Sequence, residues 1–111
     1  MNGKMDLFFE KDGKYYILDW KSNFLGDQLS DYETPQVWAA MAENNYHLQY
    51  HIYTVAVCKY LALRIPNFDY STNFGGVIYL FVRGVRINSN SGVFYYKPEK
   101  NTIYKLIDLF K

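Results

Sequence analysis

Tyr-Tyr-Ile-Leu-Asp-Trp-Lys-Ser-Asn, residues 15–23, is an apolar and aromatic run that ends in polar residues. The run predicts a buried strand. Because side chains alternate across a strand, Asp19 and Lys21 should project from one face and Trp20 from the other. A carboxylate and an amine at the polar end of a buried strand form a candidate catalytic site. An isolated Asp-x-Lys is more often a surface ion pair, so the rest of the chain must decide between these interpretations.

Asp12-Gly13 immediately precedes this strand and predicts a two-residue type I′ hairpin turn. In that register the residue numbers of each pair of facing residues add up to 25, so Asp6 on the first strand would lie directly opposite Asp19. Their Cβ atoms would be roughly 4.5–5.5 Å apart, and the two charges would repel unless a cation lay between them. With Lys21 nearby, the pair predicts a cation site. A three-residue loop with a bulge would instead make the two carboxylates diagonal neighbours.

The first strand is predicted over residues 1–10, which leaves no room for an element before it. We therefore expect a chain that is truncated at its N-terminus. Its 111 residues suffice for a single domain, residues 1–111, and a hydrophobic fraction of 50% excludes disorder.

The net charge of +1 gives no basic surface for nucleic acid, so any DNA contact must come from a local site, a metal ion or a neighbouring domain. Cys58 is the only cysteine, which excludes an intrachain disulfide and an all-cysteine metal site. The sequence contains no apolar run of about 18 residues and no signal peptide. We expect a soluble cytoplasmic protein without a membrane partner.

The remaining elements alternate between helices and strands. A helix is predicted over residues 35–43, with Thr34 as its N-cap and Pro35 as its first residue, and a longer helix over 46–64. Strands follow at 77–82 and 93–96, and Asn101 or Thr102 is predicted to cap a last helix. This order predicts an α/β fold, with a mixed β-sheet flanked by helices.

The helix predicted over residues 46–64 has two faces, each formed by residues that recur at helical spacing. The first is predicted to supply core contacts and consists of Leu48, Ile52, Val55 and Val57. The second consists of Gln49, Tyr53, Ala56 and Tyr60. His47 and His51 are spaced for zinc, but the Glu of His-Glu-x-x-His is replaced by Leu48. We interpret these histidines as solvated helix surface.

Three motifs together resemble the PD-(D/E)XK nucleases, and among them the C-terminal nuclease domains of the RecB type. They are Gly3-x-x-Asp6, Asp19-x-Lys21 and Gln49-x-x-x-Tyr53. The run from Gly75 to Phe81, followed by Arg83-Gly84, is similar to the same domain. The resemblance covers nearly the whole chain and keeps the order and spacing of the motifs.

The resemblance implies a restriction-endonuclease-like core that lacks its first helix, and a metal-dependent deoxyribonuclease of the exodeoxyribonuclease V type. It implies that Asp6, Asp19 and the carbonyl of Trp20 hold Mg²⁺, as one or two ions that Mn²⁺ could replace. It also implies that Lys21 orients or activates the attacking water. Mg²⁺ prefers such hard oxygen ligands and keeps several waters.

By the same resemblance, Gln49 and Tyr53 face the site from the helix. Family members carry a further metal ligand on a helix before the first strand, and that ligand is missing from this sequence. There is no Walker A motif either, so ATP binding would lie in helicase domains of a longer parent chain. The implied partners are DNA, those helicase domains, the other subunits of a RecBCD-like complex and a recombinase. The alternative is a non-catalytic DNA-guiding or recombinase-docking domain with the same fold.

Overall fold

The computed structural model describes residues 7–86 and 89–109. The elements in chain order are β1 (Leu7–Lys11), β2 (Lys14–Lys21), a 3₁₀ helix (Leu29–Tyr32), α1 (Thr34–Glu43), α2 (Tyr46–Arg64), α3 (Tyr70–Asn73), β3 (Phe74–Phe81), a 3₁₀ helix (Val82–Gly84), β4 (Val93–Tyr96) and α4 (Lys100–Leu109). The sequence analysis missed only the short α3 and the two 3₁₀ helices. In the described residues, no helix combines the length and apolar character needed to cross a membrane.

The four strands form one mixed sheet in the order β1-β2-β3-β4. The β1–β2 and β3–β4 pairs are antiparallel, whereas β2 and β3 are parallel. The α/β fold with a mixed sheet and flanking helices is therefore confirmed. Strand β2 is thus an interior strand of the sheet, and Asp19 is paired with Tyr79 of β3.

The β1–β2 turn has the predicted geometry. Asp12 and Gly13 have φ values of 54° and 82°, as a type I′ turn requires. Paired residues run from Leu7 with Leu18 to Lys11 with Lys14, and each pair adds up to 25. Asp6 lies outside the described residues, so its pairing with Asp19 stays a prediction.

The core is rich in aromatic side chains. Helix α1 packs against β4 and α2, and α2 packs against β3 and α4. Tyr50 of α2 contacts the rings of Tyr79, Phe94 and Tyr96, with ring centroids 5.7–6.2 Å apart. These tilted and edge contacts fix α2 over the central strands.

The predicted core face of α2 is wrong in its first half. Val55 and Val57 are buried, but Leu48 and Ile52 are 60% and 40% exposed. The buried side of the helix consists of Gln49, Tyr50, Tyr53, Thr54, Val55, Val57, Cys58 and Leu61. Periodicity separates the two faces of a helix but does not say which one meets the sheet. Here the aromatic rings of Tyr50 and Tyr53 are buried, and the side chains of Gln49 and Thr54 form hydrogen bonds inside.

The second predicted face divides along the helix. Gln49 and Tyr53 are buried, whereas Ala56 and Tyr60 are exposed. Tyr60 still contacts the ring of Phe8 on β1, at 5.9 Å between centroids. Only the N-terminal half of this face therefore lies over the centre of the sheet, where Asp19 and Lys21 are found.

Helix α1 begins one residue earlier than predicted. Its N-cap is Glu33, and Thr34 is already its first residue. The side chain of Glu33 accepts no capping hydrogen bond. Pro35 still lies in the first turn, where its missing N–H costs nothing.

Candidate functional site

Asp19 and Lys21 lie on one face of β2, near the carboxyl end of the strand. Lys21 Nζ is 3.5 Å from Asp19 Oδ2, and the two side chains are only 15% and 4% exposed. Trp20, between them, is 52% exposed. The pair is therefore not the surface ion pair that an isolated Asp-x-Lys suggests. A buried carboxylate loses its hydration, so its charge must be balanced by a cation close by.

Gln49 joins this pair from α2. Its Oε1 accepts a hydrogen bond of 3.2 Å from Lys21 Nζ and one of 2.6 Å from the hydroxyl of Tyr79. Gln49 is 6% exposed and Tyr79 is fully buried. The structure thus brings together Asp19, Lys21 and Gln49, three of the predicted site residues, in a single connected network.

Tyr79 acts as the hydrogen-bond donor because it stays protonated. Burial raises the pKa of its hydroxyl, and the negative charge of Asp19 raises it further. With the Tyr79 hydroxyl fixed as a donor, Gln49 must present its oxygen to it. The same oxygen then faces Lys21, which sets the orientation of the amide.

Two aromatic rings enclose the Lys21 ammonium. Its Nζ lies 4.2 Å from the centroid of the Tyr46 ring and 5.3 Å from that of Tyr79. Both distances allow cation–π attraction, which is stronger where water is partly excluded. The Tyr46 hydroxyl donates a 3.3 Å hydrogen bond to Asn23 Oδ1, so the ring is also tied to the chain beyond β2.

The sequence analysis missed Tyr46 and Tyr79. Tyr46, Gln49 and Tyr53 are spaced i, i+3 and i+7, so helical spacing could have placed Tyr46 on the site face. Tyr79 had no such signal, because it depends on the parallel register that pairs Asp19 with Tyr79 across β2 and β3.

Tyr53 is buried one helical turn beyond Gln49, with 2% exposure. It is close enough to Tyr79 to contribute to the raised pKa of that hydroxyl. Its placement on the site side of α2 agrees with the expectation, and its role in any chemistry stays a prediction.

The histidines differ from the solvated surface that was predicted. His47 is partly buried, and its ring lies 5.7 Å from Trp38 and 5.8 Å from Phe94 between centroids. Its Nδ1 is 3.0 Å from the Tyr50 hydroxyl. His51 is also partly buried, and its Nδ1 is 2.7 Å from the His47 carbonyl oxygen. The sequence interpretation failed because α1 and β4 cover this side of the helix.

The Asp19 carboxylate is a hard oxygen ligand of the kind that Mg²⁺ prefers, and Mg²⁺ completes its octahedron with water where a protein supplies few ligands. The roles of Asp19 and of the Trp20 carbonyl as metal ligands stay predictions. Within residues 7–86 and 89–109, no group of three or more His, Cys, Asp or Glu side chains could hold a metal ion. Asp6, the second predicted carboxylate, lies outside these ranges.

The fold and this arrangement of side chains together indicate a class of protein. A mixed α/β sheet with Asp-x-Lys at the carboxyl end of an interior strand, backed by Gln-x-x-x-Tyr on a helix, is compatible with a nuclease-like core.

Comparison with known proteins adds sequence similarity to this structural evidence. No family model matches the chain. The chain is 44% identical over 110 residues to the RecBCD enzyme subunit RecB of Haemophilus influenzae and 42% identical over 111 residues to that of Escherichia coli. It is 32% identical over 121 residues to the RecB subunit of Mycolicibacterium smegmatis. These alignments cover 98–99% of the chain. The chain is thus homologous to a segment of RecB, and spans about 9–11% of the length of these curated relatives.

Proposed function

We propose that this chain is a metal-dependent deoxyribonuclease module that hydrolyses the phosphodiester bonds of DNA. It would work as part of an ATP-dependent helicase–nuclease in double-strand-break repair and recombination, as an exodeoxyribonuclease of the V type. The observation that carries the proposal is the buried Asp19–Lys21 pair, 3.5 Å apart. It lies in a chain homologous to a segment of subunits named for the RecBCD enzyme.

In this proposal Asp19 and the carbonyl of Trp20 are ligands of Mg²⁺, or of Mn²⁺ in its place, and Asp6 is the second carboxylate. When bound, the ion would polarise the phosphate and lower the pKa of a coordinated water. No other residue of the described network is a hard anionic ligand, which leaves Lys21 and Gln49 for other tasks.

Lys21 orients the attacking water and stabilises negative charge as it grows on the phosphate. A water oxygen bonds to phosphorus, one bridging P–O bond breaks, and a proton passes to the leaving oxygen. Preorganised charge is effective in such a step because it needs no rearrangement during the reaction. Gln49 and the rings of Tyr46 and Tyr79 support this role, since they hold the ammonium beside Asp19. Tyr53 backs Gln49 from the next turn of α2.

The partners follow from the same proposal. They are DNA, helicase domains of the parent chain, the other subunits of a RecBCD-like complex and a recombinase, in the cytoplasm. With a net charge of +1, the 111-residue chain has little overall electrostatic attraction for DNA. It would therefore be a weak or inactive nuclease by itself.

The test compares variants of the parent protein that contains this segment. Asp19→Ala and Lys21→Ala should abolish cleavage of linear DNA in Mg²⁺ and leave ATP-driven unwinding intact. Lys59→Ala is a matched control, because Lys59 is an exposed lysine in the C-terminal half of α2. Cleavage at the wild-type rate in Asp19→Ala would refute the proposal, and the same result in Lys21→Ala would remove Lys21 from the mechanism.

The alternative is a non-catalytic DNA-guiding or recombinase-docking domain of the same helicase–nuclease. A docking module would leave cleavage by the parent unchanged in both site variants while recombinase loading or DNA guidance changed.

A further inference from the structure

A hollow of about 200 Å³ lies just beyond the carboxyl ends of β2 and β3. Phe24, Tyr32, Arg83 and Arg86 line it together with Asp27. Phe24 follows the end of β2 by three residues, and Arg83 follows the end of β3 by two. In open α/β sheets, ligands bind outside the carboxyl ends of parallel strands. The hollow thus lies at the same end of the sheet as Asp19 and Lys21, which are near the carboxyl end of β2.

Arg83 is held in place and still has donors to offer. Its Nε donates a 2.8 Å hydrogen bond to the carbonyl oxygen of Ser22, next to Lys21. This bond leaves both terminal nitrogens of the guanidinium for a ligand, in the fork geometry that matches a phosphate. In residues 7–86 and 89–109, neither Arg83 nor Arg86 forms an ion pair with an acidic side chain. Both arginines are exposed, so their charges are available to a ligand in the hollow.

Phe24 gives the hollow an aromatic wall. It is 62% exposed, so it contributes little to the core, and its ring centroid lies 5.7 Å from the Arg83 guanidinium. An exposed ring beside an arginine suits a nucleotide, because the base stacks on the ring and the phosphate pairs with the guanidinium. Asp27 also lines the hollow and repels phosphate, so two arginines and one carboxylate leave the lining with a net charge of +1.

We propose that Phe24, Arg83 and Arg86 form a subsite for one unpaired nucleotide of a DNA strand, next to the position where the chain would cleave it. This inference rests on the proposed nuclease function and adds to it the substrate contact beyond Lys21. Phe24 stacks on the base, and the two arginines bind the adjacent phosphate oxygens.

The test measures binding of a fluorescent oligothymidylate to the 111-residue chain by anisotropy, with EDTA present so that no metal-dependent cleavage occurs. Phe24→Ala should weaken binding about tenfold or more, the typical loss of one stacked base, while Phe24→Trp retains it. Arg83→Gln and Arg86→Gln should each lower the slope of log K against log salt by about 0.7, the value for one phosphate contact on a single strand.

Arg64→Gln provides the matched control. It removes the same charge from the end of α2, about 27 Å along the helix from Tyr46. It should leave the salt slope unchanged. Absence of oligonucleotide binding by the wild-type chain at low salt, or an equal loss of slope in Arg64→Gln and Arg83→Gln, would overturn the subsite.

The two sets of variants distinguish an error in the proposed subsite from an error in the proposed nuclease function. If Asp19→Ala leaves cleavage by the parent intact while the Phe24 and Arg83 variants lose oligonucleotide binding, the subsite stands and the nuclease proposal falls. If cleavage depends on Asp19 but these variants bind the oligonucleotide as the wild type does, the subsite alone is wrong.

Discussion

Replacement of Gln49 by Leu should destabilise the fold because it leaves the hydroxyl of Tyr79 without a hydrogen-bond acceptor. Leu has nearly the same size but no oxygen, so the Tyr79 hydroxyl loses its 2.6 Å acceptor. This hydroxyl is fully buried and stays protonated, and a buried donor without an acceptor costs about 1–3 kcal/mol. Lys21 also loses its 3.2 Å hydrogen bond to Gln49. Its contribution to the loss of stability is smaller, because its side chain is 15% exposed and still forms an ion pair with Asp19.

Tyr79→Phe should cost less, because Gln49 Oε1 still accepts from Lys21. The loss is that of one ordinary hydrogen bond, about 0.5–1.5 kcal/mol. In the double variant no hydroxyl is left unsatisfied, so its free energy of unfolding should exceed the additive expectation by about 1 kcal/mol. The three proteins and the wild type form a double-mutant cycle.

Urea unfolding at neutral pH measures the cycle, with the fluorescence of Trp20 and Trp38 as the signal. Tyr70→Phe combined with Gln49→Leu is the control, since Tyr70 is an equally buried tyrosine whose hydroxyl donates to the Pro98 carbonyl instead. That pair should be additive. Additivity within about 0.3–0.5 kcal/mol for the Gln49–Tyr79 pair would refute the shared hydrogen bond as the link between α2 and β3.

Two further predictions concern stability. Gly84→Ala should cost about 1–3 kcal/mol, because a Cβ at this position would overlap the side chain of Tyr32. Urea unfolding measures the loss, and unchanged stability would contradict this packing. Burial, and to a smaller extent the charge of His51, lower the pKa of His47 in the folded chain. The unfolded chain therefore binds a proton at His47 more readily than the folded chain does. The wild-type chain should thus lose stability as the pH falls below 6.5. Thermal melts from pH 7.5 to 5 should show a smaller loss for His47→Gln, and an equal loss in both proteins would exclude His47 as the cause.

Local signals predicted most of what the sequence analysis got right. The Asp12-Gly13 turn fixed both its own conformation and the register of the hairpin, because the backbone twist of a type I′ turn matches that of the strands. Strand alternation placed Asp19 and Lys21 on one face. Each of these features depends on residues close together in sequence.

The errors and omissions concern contacts between distant residues. Leu48 and Ile52 were assigned to the core because periodicity does not show which helix face meets the sheet. Tyr79 was missed because the parallel pairing of β2 with β3 leaves no pattern in either strand. The predicted carboxylate pair of Asp6 with Asp19 is not decided by the described residues.

The parallel β2–β3 pairing has a consequence for how the site comes into being. A hairpin can form early and place Asp19 near Lys21, but Asp19 and its neighbour Tyr79 are 60 positions apart (79 − 19). Closing so long a loop is slow, and the contact is made only when the intervening helices have packed. Lys21 therefore contacts both Gln49 and Tyr79 only in the completely folded domain. In a nascent or partly unfolded chain, Lys21 would therefore lie near Asp19 without its hydrogen bond to Gln49 and without its contact with the Tyr79 ring.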